Sequence, residues 1–196
     1  MTEAKHRVLI ILGHPNKQSY CAALAAAYQE GALKAGAEVR EICVSDLKFE
    51  PNLWGGGERI VALEPDVQRA QELIIWADHL VFVYPTWWGT MPALLKGFID
   101  RVFISGFSFR YRENSRLWDR LLTGRSARVI VTMDAPPWYY RLVYGSPGHK
   151  AMKRATLKFC GVKPVRVSSF GSVKKSKPEQ RQHWLEKVRS YGEKLD

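Results

Sequence analysis

Three short segments of this chain concentrate residue types suited to holding a small, planar, anionic molecule. In the first, Gly13-His14-Pro15-Asn16-Lys17-Gln18-Ser19-Tyr20-Cys21, a serine stands where a helix should begin. The first N–H groups of a helix have no intrahelical partner. Amides near Ser19, Tyr20 and Cys21 can therefore take a phosphate, with the Ser19 hydroxyl and the His14 imidazole adding hydrogen bonds. The same pattern also describes a plain serine cap with a loop histidine beside it. It is neither Gly-x-Gly-x-x-Gly nor Gly-x-x-x-x-Gly-Lys-Ser/Thr, which argues against a dinucleotide-binding Rossmann enzyme and a P-loop NTPase.

The second segment is Pro85-Thr86-Trp87-Trp88-Gly89. Adjacent indoles at a strand end cannot both point into a core. At least one should present a flat face for an aromatic ligand, and Gly89 admits close backbone approach. The competing reading is an apolar plug between this loop and a helix. The third segment, Thr132-Met133-Asp134-Ala135, leads into Pro136, Pro137, Trp138, Tyr139, Tyr140 and Tyr144, then Gly145-Ser146-Pro147-Gly148-His149. Rings with a few polar tips suit a pocket for a planar organic substrate or a subunit interface. No Ser-His-Asp or Cys-His spacing is recognisable, and His14 and His79 lack partners at metal-ligand spacing, so no metal is expected. Phosphate capture and aromatic walls without an obvious nucleophile imply that a bound cofactor carries the reaction.

These segments need a scaffold that delivers them to one place, and the intervening pattern supplies it. Short apolar runs at Val8–Leu12, His79–Tyr84 and Ala127–Thr132 read as strands buried on both faces. Glu38–Val44 and Val165–Phe170 read as two further strands. Helices are expected over Tyr20–Lys34, Pro65–Trp76, Met91–Val102 with Pro92 in the first turn, Pro147–Phe159, and from Pro178 onward. Asp46–Glu64, with Gly55-Gly56-Gly57, reads as a surface loop, and Phe107–Trp118 as a short hairpin or loop. Strands alternating with helices predict a single α/β domain over residues 1–196. Its core would be a doubly wound, five-stranded parallel sheet of order 2-1-3-4-5 with helices on both faces. Ligands in such sheets bind beyond the carboxyl ends of the strands, where the strand order reverses, and all three segments leave those ends.

Composition narrows the classes. The 196 residues include 46% hydrophobic and 12% aromatic residues, enough for a core and incompatible with disorder. No apolar run reaches the roughly 20 residues that span a bilayer, and the amino-terminal residues lack a signal-peptide pattern. Cys21, Cys43 and Cys160 form no disulfide framework, so a reducing, cytoplasmic setting is expected. The net charge of +11 invites a nucleic-acid reading, yet residues 1–99 hold 9 basic and 11 acidic side chains against 21 and 8 in residues 100–196. The arginines from Arg110 to Arg128 are scattered without a nucleic-acid-binding motif, and no nucleic-acid partner is expected. Lys174-Lys175-Ser176-Lys177 reads most simply as a solvated loop before the last helix.

Val8 to Pro15 followed by Ser19, together with Phe82 to Phe103 and the Phe159-Cys160-Gly161 segment, resembles the flavodoxin-like NAD(P)H:quinone oxidoreductases. That family includes quinone reductase, the modulators of drug activity and the potassium-efflux ancillary oxidoreductases. The resemblance implies a tightly held flavin, FMN with FAD as the alternative, reduced by NADPH or NADH and reoxidised by a quinone. By position, His14, Gln18, Ser19, Tyr20 and Cys21 would hold the flavin phosphate and ribityl chain. Pro85, Thr86, Trp87 and Trp88 would lie along the ring system. Thr132, Met133, Asp134 and Ala135 stand where the family often has Thr-Thr-Gly-Gly beside the pyrimidine edge. Tyr139 or Tyr144, with His149, correspond to the family's Tyr/His pair near hydride transfer. The resemblance also implies a homodimer with its cleft at the subunit boundary. A rival reading within the same fold is a flavin-binding, redox-sensing subunit that docks on a membrane transporter, its basic surface facing an anionic leaflet.

Overall fold

A computed structural model describes residues 6–53 and 63–195; the Gly55-Gly56-Gly57 expectation lies outside the described residues. Five parallel strands, β1 (Arg7–Leu12), β2 (Glu38–Cys43), β3 (His79–Pro85), β6 (Ser126–Thr132) and β7 (Val165–Phe170), pair in the order β2-β1-β3-β6-β7. This is the expected 2-1-3-4-5 order. The extra numbers arise because Phe107–Trp118 contains an antiparallel hairpin, β4 (Phe109–Tyr111) and β5 (Trp118–Arg120).

Side-chain alternation along each strand sorts the core into two layers. Leu9, Ile11, Phe82, Tyr84, Val129 and Val131 face α2 (Pro65–Trp76), α3 (Ala93–Val102) and the helical segment after residue 147. Val8, Ile10, Leu12, Val81, Val83 and Ile130 face α1 (Tyr20–Lys34) and α6 (Pro178–Glu193). Because both faces are covered, the central strands are apolar on both sides over most of their length rather than alternating.

Three local expectations differ. Pro92 is the residue before α3, extended at φ −56° and ψ 147°, rather than inside its first turn. The stretch Pro136–Tyr144, read as an aromatic loop, contains the helix α4 (Pro137–Leu142), whose first position is proline. The helix from Pro147 is ordinary only over α5 (Pro147–Lys150) and continues as a π-helix through Ala151–Lys158.

Close packing of α1 on α6 depends on two glycines. A Cβ on Gly31 would overlap the Arg189 carbonyl oxygen, and one on Gly192 would overlap the Tyr28 carbonyl oxygen. The two backbones therefore touch, flanked by the ion pairs Arg189–Glu30 and Lys34–Glu193, each at 2.8 Å. On the opposite layer, buried Arg101 bonds the Glu64 carboxylate with both terminal nitrogens and the Glu50 carbonyl with one, fixing both flanks of the long connection before α2.

The amino-terminal end of the sheet buries polar groups. Arg128 within β6 bonds Ser168 Oγ at 2.7 Å and stacks 3.8 Å above the Tyr191 ring. His79 is buried with its Nδ1 2.7 Å from Ser126 Oγ, its ring stacked on Tyr28, and its Nε2 without a hydrogen-bond partner. Burial, reinforced by the Arg128 and Arg166 charges, pushes its pKa down to about 4.

Two outcomes follow. Gly192→Ala should destabilise the fold by about 3 kcal/mol or more, because backbone atoms of α1 and α6 must separate; denaturant melts measure it. The unfolded chain takes up a proton at residue 79 below pH ~6.5 that the folded chain refuses until about pH 4. Stability should thus fall by about 3 kcal/mol from this group as pH drops through that window, and His79→Gln should remove that slope in pH-dependent melts.

Candidate functional site

The site begins where strands end. Gly13 leaves β1 with its N–H on the Val83 carbonyl at 2.8 Å, and a side chain here would strike Leu95 Cδ2 at 2.6 Å. The chain then turns tightly. His14 Nδ1 accepts from the Asn16 amide at 2.9 Å, Asn16 Oδ1 accepts from the Gln18 amide at 2.7 Å, and the Asn16 carbonyl accepts from the Ser19 amide at 3.2 Å. Because Nδ1 is an acceptor, neutral His14 carries its proton on Nε2; burial holds its pKa below the ordinary value. Ser19 is the helix cap, its Oγ accepting from the Ala22 amide at 3.2 Å. The amides of Tyr20 and Cys21, at the first positions of α1, have no intrahelical partner.

Two expected members of this loop turn their side chains elsewhere. The Tyr20 hydroxyl donates to the Arg181 carbonyl at 2.8 Å and its ring leans on Trp184, leaving only its amide for the loop. Cys21 is buried with Sγ 3.2 Å from Thr132 Oγ1, and burial pushes its thiol up to about 11. It joins the first segment to the third and is not a nucleophile at neutral pH. Gln18 is exposed.

After β3, Pro85 is buried and Thr86 donates its amide to the Thr132 carbonyl at 2.7 Å. Trp87 and Thr90 exchange backbone bonds of 2.8 and 3.0 Å around a tight turn whose central residues, Trp88 and Gly89, have φ of 49° and 78°. Positive φ is costly for an indole-bearing residue and easy for glycine. The result projects Trp88 fully into solvent, while Trp87 stands 44% exposed, ruling out the plug. The Trp87 ring meets His14 edge-on, centroids 5.8 Å apart, so the helix-entry loop and the aromatic loop form one wall.

Beyond β6, the buried Met133 donates its amide to the Phe170 carbonyl at 2.9 Å. Asp134 is exposed and accepts from the Lys174 amide at 3.3 Å and pairs with its ammonium at 3.1 Å. The Ala135 carbonyl lies beside Gly171, where a Cβ would crowd it at 2.6 Å.

The tyrosine cluster divides differently from the expectation. Tyr139 packs edge-on against Tyr144 and Trp138, and both Tyr139 and Tyr144 are exposed. The ring against His149 is Tyr140, 5.0 Å away and edge-on. Tyr140 is buried; its hydroxyl donates to the Gly89 carbonyl at 2.8 Å and accepts from the Gly148 amide at 2.9 Å. It thereby ties α4 and the start of α5 to the Trp87–Thr90 turn. His149 Nε2 lies 3.3 Å from Ser169 Oγ, and burial lowers its pKa, so it is neutral at pH 7. Sequence reasoning passed over Tyr140 because nothing in a run of adjacent aromatics marks which ring turns inward. Among the described residues no metal-binding cluster occurs, and no helix is long and apolar enough to cross a membrane.

The chain is similar to several known proteins. The ribosyldihydronicotinamide dehydrogenase-like protein traD of Penicillium crustosum is 34% identical over 159 residues, covering 68% of this chain and 60% of that protein, less than two thirds of its length. The NAD(P)H dehydrogenase (quinone) 1 of Cavia porcellus is 27% identical over 203 residues, covering 91% of this chain and 73% of that protein. The structure of an NAD(P)H:quinone oxidoreductase from Methanothermobacter marburgensis superposes with a TM-score of 0.83 at 26% identity, covering 98% of each chain. Matched over residues 6–195, this chain belongs to the family of proteins with the flavodoxin-like fold.

Proposed function

We propose that the chain is a flavin-dependent oxidoreductase that takes electrons from NADPH or NADH and passes them to a quinone or similar aromatic acceptor. The observation that carries the reading is the contact of His14 with Trp87. It places an aromatic wall directly beside a helix entrance with unpaired amides, at the crossing between β1 and β3. One end of that groove suits a phosphate and the other a planar ring, which is the donor set an FMN needs; FAD is the alternative. Names of relatives, among them the Cavia porcellus and Methanothermobacter marburgensis enzymes, support the NAD(P)H and quinone assignments.

When bound, a flavin supplies the two-electron relay between nicotinamide and quinone. This chain's residues do the rest. The amides of Tyr20 and Cys21 and the Nε2–H of His14 would hold the phosphate, with exposed Gln18 in the same loop. The Ser19 hydroxyl, by capping α1, keeps those amides aligned. Pro85, Thr86, Trp87 and Trp88 would lie along a flavin ring system, and Thr132, Met133, Asp134 and Ala135 would border its pyrimidine edge. The amides of Thr86 and Trp87 are already bonded to Thr132 and Thr90. Those of Trp88 and Gly89 make no backbone bond among the described residues and are the ones left for ring-edge contacts. Tyr140 has its hydroxyl fully committed, so the exposed phenols of Tyr139 and Tyr144, with neutral His149 nearby, are the groups positioned to exchange protons with an acceptor.

Trp88, in the turn after β3, and Trp138, Leu142, Val143 and Tyr144, in and just after α4, are exposed apolar groups. Exposed apolar surface of this kind calls for cover, and a homodimer closing the cleft between subunits accounts for it.

The purified protein should be yellow and release FMN or FAD on denaturation, identified by mass spectrometry; a folded protein unable to take up either flavin would refute the proposal. Stopped-flow mixing with NADPH should show flavin reduction followed by turnover on adding a quinone. Reduction without turnover would favour the sensing subunit. Ser19→Ala should weaken flavin retention about tenfold by disordering the cap, read by fluorescence titration. Tyr140→Phe leaves the Gly89 carbonyl and the Gly148 amide without the shared hydroxyl. It should lower stability by about 1–3 kcal/mol in denaturant melts and alter tryptophan emission from the neighbouring turn.

A further inference from the structure

The Lys174-Lys175-Ser176-Lys177 run is built more firmly than a solvated loop requires. It follows β7 at the carboxyl rim of the sheet, immediately beside the segment Thr132–Ala135. Gly171 admits the approach, since a Cβ there would overlap Pro137 Cδ. The Val173 amide donates to the Met133 carbonyl at 3.3 Å, and Lys174 is held by Asp134 through both its amide and its ammonium. From the other side Arg181 donates to Ser176 Oγ at 2.9 Å and to the Ser176 carbonyl at 3.2 Å. The buried Ser176 hydroxyl in turn donates to the Val173 carbonyl at 2.6 Å. The turn is thus pinned at both ends while Lys174, Lys175 and Lys177 stay exposed.

Asp134 gains a purpose here. It stands where the family pattern resembled in the sequence has glycine, and it engages the lysine run rather than pointing along the groove. An exposed ion pair of this kind adds little stability, so its effect is on where the turn sits. Lys174 is partly neutralised by Asp134, whereas Lys175 and Lys177 have no acidic partner among the described residues. Two ammonium groups without an acidic partner among the described residues, on a fixed turn beside Met133 and Asp134 at the carboxyl rim of the sheet, suit a phosphate monoester dianion. NADPH and NADH differ by such a group, the 2′-phosphate of the adenosine ribose.

We propose that Lys175 and Lys177, set in place by the Asp134–Lys174 and Arg181–Ser176 contacts, receive the 2′-phosphate of NADPH and give this chain its preference for NADPH over NADH. The inference rests on the proposed oxidoreductase function for its meaning but can be read separately from it. In the flavin-loaded protein with a soluble benzoquinone, the double variant Lys175→Ala/Lys177→Ala should lose about tenfold or more in kcat/KM for NADPH, through KM. The NADH value should stay within about twofold, and Lys175→Arg/Lys177→Arg should restore NADPH use. Equal losses with both donors, or no loss, would overturn the proposal. Calorimetric titration with 2′,5′-ADP and 5′-AMP gives a readout without turnover. Tighter binding of 2′,5′-ADP that disappears in the alanine variant supports the site, and equal or absent binding by the unmodified chain overturns it. Failure to oxidise either nucleotide while 2′,5′-ADP still binds selectively would sink the oxidoreductase reading and leave the phosphate site standing.

Discussion

The parallel hydrogen-bond ladder through β1, β3, β6 and β7 governs nearly everything else in this molecule, because it continues one bond past the ends of β1, β3 and β6. The Gly13 amide bonds Val83, the Thr86 amide bonds Thr132 and the Met133 amide bonds Phe170. Each segment of the candidate site is therefore still part of the sheet when it begins to turn. Parallel strands all end at the same rim, so three segments distant in sequence emerge side by side without any contact of their own being needed to gather them. A ladder of this kind survives only when both faces are dry, which is why the helices must cover it completely.

Polar groups buried against this sheet divide into two kinds by position. Toward the amino-terminal end, Arg128 and His79 are enclosed by Ser168, Tyr191, Tyr28 and Ser126, far from the rim. Their influence falls on stability and its dependence on pH. At the carboxyl rim, the Cys21–Thr132 contact and the Tyr140 hydroxyl join loops to one another. Those contacts fix where the aromatic wall stands. Trp88 shows the strain that a functional edge tolerates, since a bulky residue at positive φ is held open to solvent by its neighbours' hydrogen bonds.

The charge distribution takes on a different meaning at this rim. The net charge of +11 first suggests nucleic acid, yet the second half spreads its 21 basic residues along its length, ten of them between Arg141 and Lys177 with no acidic residue among them. A few of those charges are braced, among them Lys174 on Asp134 and Arg181 on Ser176. Bracing distinguishes a charge positioned for a ligand from one that merely keeps the protein soluble.

The sheet and its order were legible in the sequence because apolar runs such as Val8–Leu12 and His79–Tyr84 have no other stable place than between two layers of helix. The three rim segments were legible for the same reason: a strand end locates its own loop. Other features depended on packing between distant parts. Helix α4 was hidden because its single proline, Pro137, preceded by Pro136, and its adjacent aromatics carry no helical period over only six residues. Gly31 and Gly192 look like ordinary helix glycines until α1 and α6 meet backbone to backbone. The choice of Tyr140 over Tyr139 and Tyr144 as the ring against His149 was made by the turn at Gly89, whose carbonyl accepts that hydroxyl. Local pattern therefore determined which elements form and which edge carries the chemistry. Only tertiary structure decided which side chains face one another across that edge, because a contact between segments far apart in the chain leaves no periodicity in either of them.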